Sequence, residues 1–155
     1  MTEVRVAETD EAYEDALAVR YRVFVDEQGV DPDIEVDDHE EEATHFVAYD
    51  EGEAVGVARL RPYDPAEYGG PASVEYDGPV AKVERMAVLR EYRGQGVGRA
   101  ILETVEERAR EMEFERARLH AQVRSAGFYE ALGYERVGAE FEEAGIPHVA
   151  METEL

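Results

Sequence analysis

Hydrophobic and polar residues alternate in some stretches of this 155-residue chain and recur every three or four positions in others. The segment Glu3–Glu8 alternates and predicts a first strand. Thr9 or Asp10 can cap the helix that follows, and Gly29 with Pro32 ends its pattern. Apolar side chains recur at helical spacing between these limits, at Tyr13, Leu17, Tyr21 and Phe24.

The remaining pattern predicts six further strands and two further helices. Two strands flank a hairpin turn at Asp50–Glu53, and a loop rich in turn residues follows from Pro62 to Pro79. The next elements are a strand at Val80–Leu89, a helix with its apolar stripe at Val97, Ile101, Val105 and Ala109, a strand at Arg116–Val123, a short helix between Ser125 and Gly133, and two strands around Glu142–Pro147. The order β-α-β-β-β-α-β-α-β-β predicts a mixed α/β, or α+β, domain.

Composition narrows the class of protein. The length fits one domain, residues 1–155, and 44% hydrophobic residues are typical of a globular chain. The absence of cysteine excludes disulfides, thiolate metal sites and a cysteine nucleophile. No apolar run has the length of a membrane span, and no basic stripe is present, so neither a membrane nor a nucleic acid is an expected partner. A cytoplasmic protein is the default expectation.

The net charge of −22 comes from acids spread along the whole chain. Lys82 is the only lysine, and every other cation is an arginine. This pattern resembles the acidic surfaces of halophilic proteins, where salt screens the self-repulsion. Attraction of a cationic partner is the alternative interpretation, and the sequence favours the halophilic one.

One acidic segment has the ligand spacing of a calcium loop. The segment Asp31–Glu42 places acidic or polar side chains near the ligand positions of an EF-hand. Val36 stands where that loop needs a glycine, and Pro32 occupies its second place. We therefore expect no metal here, and interpret the segment as a solvated acidic loop near the acceptor side.

A glycine-rich turn joins the Val80–Leu89 strand to the next helix. A helix amino terminus binds phosphate, and glycines let an anion approach the backbone. A dinucleotide-binding turn needs G-x-G-x-x-G/A, but counting from Gly94 or Gly96 the last place holds Arg99 or Ile101. A P-loop needs a lysine after its glycines, and none follows Gly98.

The pattern that does fit is R-x-x-G-x-G, beginning at Arg93. Together, the segments Val83–Leu102 (VERMAVLREYRGQGVGRAIL) and Phe128–Tyr134 (FYEALGY) resemble the two core motifs of the GCN5-related N-acetyltransferases, the GNAT superfamily. The segments Arg20–Val30 and Glu142–Met151 resemble its ElaA-like branch more narrowly. The resemblance spans most of the chain.

The resemblance implies a fold and a reaction. The fold is the GNAT acyl-CoA N-acyltransferase fold, a single mixed, splayed sheet flanked by helices. The reaction is transfer of acetyl from acetyl-coenzyme A to a primary amine. Since no cysteine can form an acyl-enzyme, direct attack within a ternary complex is the expected scheme, without a metal.

The resemblance also assigns roles to residues. The strand backbone at Met86, Ala87 and Val88 would meet the pantetheine and the acetyl carbonyl. Tyr129 would protonate the leaving thiolate, whereas its neighbour Phe128 is predicted as the core member of the aromatic pair. The turn that would hold the pyrophosphate comprises Arg93, Gly94, Gln95, Gly96, Val97, Gly98 and Arg99.

The general base has two principal candidates. Glu84 alternates with Met86 and Val88, so it is predicted on the cleft-facing side of the strand, although an ion pair with Arg85 or Lys82 is an equal alternative. His148 is the other catalytic candidate. Residues predicted to line the acceptor site are Glu27, His120 and Gln122.

The sequence is also compatible with other functions. The acceptor is expected to be a small-molecule amine, with a protein amino terminus or lysine as an alternative. A non-enzymatic acyl-coenzyme A sensor, or a nucleotide-binding module, would also use the glycine turn. The loop that begins at Arg61 and the final strands could either pair two subunits as a homodimer or cover the substrate.

Overall fold

The computed structural model describes residues 2–63 and 79–155. Most of the predicted loop at Pro62–Pro79 lies outside the described residues. The first half comprises β1 (Thr2–Val6), α1 (Asp10–Arg20), a π-helical segment (Tyr21–Glu27), α2 (Pro32–Glu35), β2 (Thr44–Asp50) and β3 (Glu53–Pro62). The second half comprises β4 (Val80–Val88), α3 (Val97–Glu111), β5 (Arg116–Gln122), α4 (Ala126–Ala131), β6 (Glu135–Glu143) and β7 (Ile146–Glu154).

The strands form one mixed sheet in the order β1-β2-β3-β4-β5-β7-β6. Every neighbouring pair is antiparallel except β4 and β5. The predicted element order is confirmed, with α2, the π-helical segment and two short 3₁₀ helices (Arg90–Tyr92 and Val123–Ser125) as additions. The side chain of Thr9 caps α1, and the hairpin turn at Glu51 and Gly52 has the two positive φ angles that a tight hairpin requires.

Strands β4 and β5 separate partway along their length. Their parallel pairing joins Val80–Val83 to Arg116–Leu119 and then stops. Strand β4 nevertheless continues to Val88, and β5 to Gln122. Two strands that diverge in this way open a cleft within the sheet, closed at the Val83–Leu119 pair.

A β-bulge interrupts β4 just beyond the closed end of this cleft. Arg85 has φ 54°, and both Arg85 and Met86 lie opposite the single residue Ala58 of β3. The predicted alternation of Glu84 with Met86 and Val88 is therefore wrong. Met86 and Val88 pack into the core on one face of the sheet, whereas the bulge leaves Glu84 on the other.

The two faces of the sheet have different interiors. The face covered by α3 and α4, which we call the α3 face, holds the main apolar core, including Val83, Leu119 and Ile101. The face covered by α1, which we call the α1 face, has a smaller apolar cluster beside α1. It also carries buried charged residues, among them Arg20 and Arg59.

A network of ion pairs fills part of the α1 face. The buried Arg20 guanidinium binds Glu35 and Glu40, both at 2.7 Å. Arg59, which has no exposed surface, binds Asp37 at 2.7 Å and also contacts Glu40. The prediction of a solvated acidic loop is therefore wrong for these residues, because the loop folds its carboxylates onto buried arginines.

This network should make the fold sensitive to acid. Burial would raise the pKa of Glu40, but the hydrogen bonds and charge of Arg20 outweigh it and lower that pKa to about 2. A carboxylate with a lowered folded pKa stabilises the protein above its unfolded pKa of about 4.3, and this contribution is lost as the pH falls toward the folded value. We expect the urea midpoint to fall steeply from about pH 5 to about pH 3.

The matched variants for that measurement are Glu40→Gln and Glu111→Gln, the second at a largely exposed position. Glu40→Gln should lower the midpoint at neutral pH and flatten its dependence on pH, because it removes a titrating partner. Glu111→Gln should change neither. A midpoint that stays constant down to about pH 3 would contradict the structural role of the network.

Candidate active site

A cavity of about 930 Å³ occupies the cleft between β4 and β5. It extends from the glycine turn to the β6–β7 turn and is bounded by α4 and the π-helical segment. Gln95 does not line it, since this side chain turns back to donate to the Glu91 carbonyl at 3.1 Å. The other predicted site residues all line it: Glu27, Glu84, Met86, Ala87, Val88, Arg93, Gly94, Gly96, Val97, Gly98, Arg99, His120, Gln122, Tyr129 and His148.

The glycine turn presents the amino terminus of α3 to this cavity. Gly94 has φ 76° and Gly96 has φ 87°, a backbone conformation that glycine adopts without strain. Gly96 is the N-cap residue of α3, and no side chain in the described part of the chain caps it. The first amides of α3 are therefore available to an anion. A side chain at Gly98 would meet the ring of Phe128 at 3.2 Å.

Arg93 ties the glycine turn to the π-helical segment. Its Nε donates to the Val88 carbonyl at 2.9 Å, and its two terminal nitrogens donate to the Glu27 carboxylate at 2.7 and 2.8 Å. These hydrogen bonds from Arg93 lower the pKa of Glu27. Glu27 therefore stabilises the glycine turn through Arg93. Its predicted role in binding an acceptor stays a prediction.

Tyr129 lies inside the cavity wall on the α3 face. It is 8% exposed whereas Phe128 is 40% exposed, so the prediction that Phe128 is the core member of the pair is wrong. The Tyr129 ring packs edge-on against Phe128 and Tyr134. Its hydroxyl has no hydrogen-bond partner among the described residues, and burial raises its pKa. This phenol stays protonated at neutral pH and can donate into the cavity.

Glu84 is held by cations on the α1 face. Its carboxylate binds Arg59 and Arg61, and Lys82 Nζ lies 3.8 Å away. Burial would raise the pKa of Glu84, but the charges of Lys82, Arg59 and Arg61 outweigh it and lower that pKa to about 2. A carboxylate with so low a pKa accepts a proton poorly. Glu84 therefore forms ion pairs, which was the alternative to a catalytic role. Its role as the general base stays a prediction that the geometry does not favour.

Two histidines face the cavity from β5 and β7. His148 Nδ1 lies 2.6 Å from the Ile146 carbonyl, and a carbonyl only accepts, so Nδ1 carries the hydrogen. The lone pair of neutral His148 is then on Nε2, which is 3.6 Å from Glu143. His120 Nδ1 lies 3.1 Å from the other Glu143 oxygen, and burial lowers the pKa of His120. Glu143 therefore lies between two imidazoles.

Sequence reasoning missed Glu143 as a site residue. The only available signal was its place in the β6–β7 hairpin, where it pairs with Ile146, two residues before His148. Gln122 also has a partner that the sequence does not reveal. Its amide donates to Gln28 at 2.8 Å and joins β5 to the end of the π-helical segment.

The groups that can move protons lie on opposite faces of the cleft. Tyr129 belongs to the apolar cluster of the α3 face, together with Val83 and Leu119. His120 alternates with Leu119 on β5, and His148 pairs across from Gln122 on the same side as His120. A ligand threaded through the cleft would therefore meet a phenol on one side and imidazoles on the other.

Among residues 2–63 and 79–155, no three or more histidine, aspartate or glutamate side chains are grouped so as to hold a metal ion. None of the helices in the same ranges combines the length and the apolar composition that a membrane crossing requires.

Comparison with known proteins assigns the chain to a family. A family model of the acetyltransferase (GNAT) domain matches residues 8–155. The uncharacterized N-acetyltransferase YjcF of Bacillus subtilis is 37% identical over 147 residues, which cover 94% of this chain and 95% of that protein.

Solved structures share the fold. A crystal structure of a Lactobacillus plantarum protein assigned to the N-acetyltransferases superposes with a TM-score of 0.82 at 26% identity, covering 99% of this chain and 98% of that one. Escherichia coli ElaA superposes with a TM-score of 0.77 at 24% identity, covering 98% of this chain and 99% of that one. At that identity the likeness shows the fold alone, so membership of the ElaA-like branch stays a prediction. A halophilic origin also stays a prediction.

Proposed function

Since the chain belongs to the acetyltransferase (GNAT) family and has its fold, we propose that it transfers acetyl from acetyl-coenzyme A to a primary amine. The observation that carries the proposal is the open cleft between β4 and β5, with Tyr129 on one face and His120 and His148 on the other. This arrangement supplies a proton donor and a proton acceptor on the two sides of one bound thioester.

Acetyl-coenzyme A would bind along the cleft. The α3 amides beyond Gly96 would hold its pyrophosphate, because unpaired N–H groups and the helix dipole favour an anion there. The arm of the cofactor would then run beside the β4 backbone at Met86–Val88 toward the closed end. The bulge at Arg85 frees backbone groups of β4 from the ladder, so they can meet the acetyl carbonyl.

The amine would attack from the α1 face. A new C–N bond forms as the C–S bond breaks, and the departing thiolate takes the proton of Tyr129 on the α3 face. His148 Nε2, directly or through water, accepts the proton that the amine loses, with Glu143 beside it stabilising the imidazolium. No acyl-enzyme is required, in keeping with a chain that has no cysteine.

The acidic sequence alone suggests a cationic amine, but the charges of the cavity wall do not. The cavity wall carries Arg61, Lys82 and Arg85 as well as Glu84 and Glu143. This mixture does not select a cationic amine, although the whole chain has a charge of −22. We therefore propose a small amine of unspecified charge as the acceptor, with a protein amine as the alternative that a substrate screen would reveal.

The experiment that tests the proposed function has two steps. Calorimetry first measures binding of acetyl-coenzyme A, and a thiol-release assay then screens cationic, neutral and anionic primary amines together with a peptide amino terminus. Binding followed by amine-dependent thiol release supports the proposal. Binding without release for any amine favours an acyl-coenzyme A sensor, and no binding overturns the acetyltransferase assignment of this cleft.

A pair of variants separates the two candidate bases. We expect His148→Gln to lower kcat at neutral pH by roughly 100-fold, because water replaces a positioned base. The KM for acetyl-coenzyme A should stay unchanged, since the turn is untouched. Glu84→Gln should act mainly on stability, because it removes a partner of Arg59 and Arg61. If the acidic limb of the pH–rate profile disappears in Glu84→Gln and persists in His148→Gln, Glu84 is the base instead.

A further inference from the structure

The only lysine of the chain is inside the cavity. Lys82 lies on β4, is 4% exposed and lines the cleft on the α1 face. It pairs in the ladder with Arg118, one position before the Val83–Leu119 pair that closes the cleft. A lysine at this place contributes little to the protein surface; it faces the cavity and lies 3.8 Å from the Glu84 carboxylate.

The closed end is where the reacting end of a bound cofactor would be. With the pyrophosphate at the glycine turn, the arm can extend only along β4 from Val88 toward Val83, about 17 Å for five residues of strand. The thioester would then lie near the closed end, on whose α1 face Lys82 and Glu84 project. This is also the face from which an acceptor amine would attack.

The charges around Lys82 come from four strands. Glu84 and Arg85 share β4 with it, Arg61 lies on β3, His120 and Arg118 lie on β5, and Glu143 lies on β6. Burial lowers the pKa of Lys82 to about 8, even though Glu84 and Glu143 oppose that shift. A fraction of the chains therefore carries an uncharged, nucleophilic amine at neutral pH.

We propose that Lys82 is a self-acetylation site, modified by the acetyl-coenzyme A bound in the same chain. The Nζ lone pair attacks the thioester carbonyl, a C–N bond forms and the C–S bond breaks. Nζ loses its proton to water, and the thiolate takes the proton of Tyr129, which water restores. The products are an N-acetylated Lys82 and free coenzyme A. This inference rests on the proposed function, because it uses the same cofactor and the same acid.

Self-acetylation would change the acceptor side of the cavity. The acetylated side chain is neutral, so Glu84 loses one of the cations that lower its pKa. The added acetyl group also takes up space on the α1 face, where the substrate amine would bind. We expect the modified chain to bind acetyl-coenzyme A as before and to turn over amines more slowly.

Intact-mass spectrometry of the purified protein with acetyl-coenzyme A tests the proposal. The wild-type chain should gain one acetyl group, mapped to Lys82 by peptide analysis, and Lys82→Arg should not gain it at that position. The rate should saturate with acetyl-coenzyme A, be independent of protein concentration and rise as the pH increases from 7 to 9. Tyr129→Phe should slow the reaction by at least tenfold, a conservative value for loss of a general acid.

Calorimetry and the amine screen, run on the same preparation, separate the outcomes. If acetyl-coenzyme A binds and amines are acetylated while Lys82 stays unmodified, self-acetylation is overturned and the proposed function stands. Acetylation of the amino terminus alone, without Lys82, would likewise overturn self-acetylation and leave the proposed function standing. If Lys82 is modified at a rate that never saturates and is equal in Tyr129→Phe, the modification is a chemical side reaction and the proposal fails. If acetyl-coenzyme A does not bind, the proposed function fails first.

Discussion

Gly96→Asp should weaken acetyl-coenzyme A binding by more than roughly 100-fold. The aspartate places a carboxylate at the amino terminus of α3, where it competes with the pyrophosphate for the helix amides and repels its charge. Losing two charge-assisted hydrogen bonds costs about 3 kcal/mol or more, which corresponds to this loss in affinity. Calorimetric titration measures it directly.

Gly52→Asp is the matched control. Gly52 has φ 84°, close to the 87° of Gly96, and a Cβ at either position meets nothing within 4 Å. Both substitutions therefore introduce the same backbone strain, about 1 kcal/mol, but Gly52 is in the β2–β3 turn, away from the cleft. Equal loss of affinity in the two variants would mean that strain, rather than a pyrophosphate site, explains the result.

Tyr129→Phe should lower kcat by roughly 100- to 1,000-fold while leaving the Kd of acetyl-coenzyme A within about twofold. The phenol has no hydrogen-bond partner among the described residues, so its removal leaves no buried group unsatisfied and the packing of the ring is retained. Only the proton for the departing thiolate is lost. The measurement is steady-state thiol release with the best amine of the screen.

A substrate series sharpens this result. A thioester whose thiol has a low pKa needs no proton to depart, so Tyr129→Phe should lose much less activity with such a donor than with acetyl-coenzyme A. Tyr134→Phe is the control, because Tyr134 donates to Glu106 and does not line the cavity. A uniform loss with every donor in Tyr129→Phe would show that the ring acts through packing and not as an acid.

The sequence predicted most of the fold because its local signals were strong. Thr9 caps α1, the hairpin at Gly52 forms, and the amphipathic stripe from Val97 to Ala109 forms the buried side of α3. Each of these features depends on residues close together in the chain, where spacing is informative. The glycine turn is also a local feature, because the helix that it precedes follows it directly in the sequence.

The predictions that were wrong depend on contacts between distant residues, which the spacing of residues along the chain does not reveal. Alternation on β4 fails at Arg85, since a bulge depends on the pairing with Ala58 of β3. The acidic loop is ion-paired because Arg20 and Arg59, distant in sequence, lie beneath it. Glu143 could not be recognised as a site residue, since its relation to the histidines comes from strand pairing.

The bulge at Arg85 makes the number of residues in β4 part of the chemistry of the site. Deleting Arg85 would restore a regular ladder opposite Ala58 and leave Glu84 on the α1 face, but it would remove the backbone groups that the bulge frees and the cation that binds Glu35 and Asp37. Such a deletion should disturb the fold and the site far more than an insertion at the Glu51–Gly52 turn, where the backbone is exposed. Relatives that differ in length from this chain should therefore carry their insertions and deletions in the connections, and keep the count from the closed end of the cleft to the glycine turn constant.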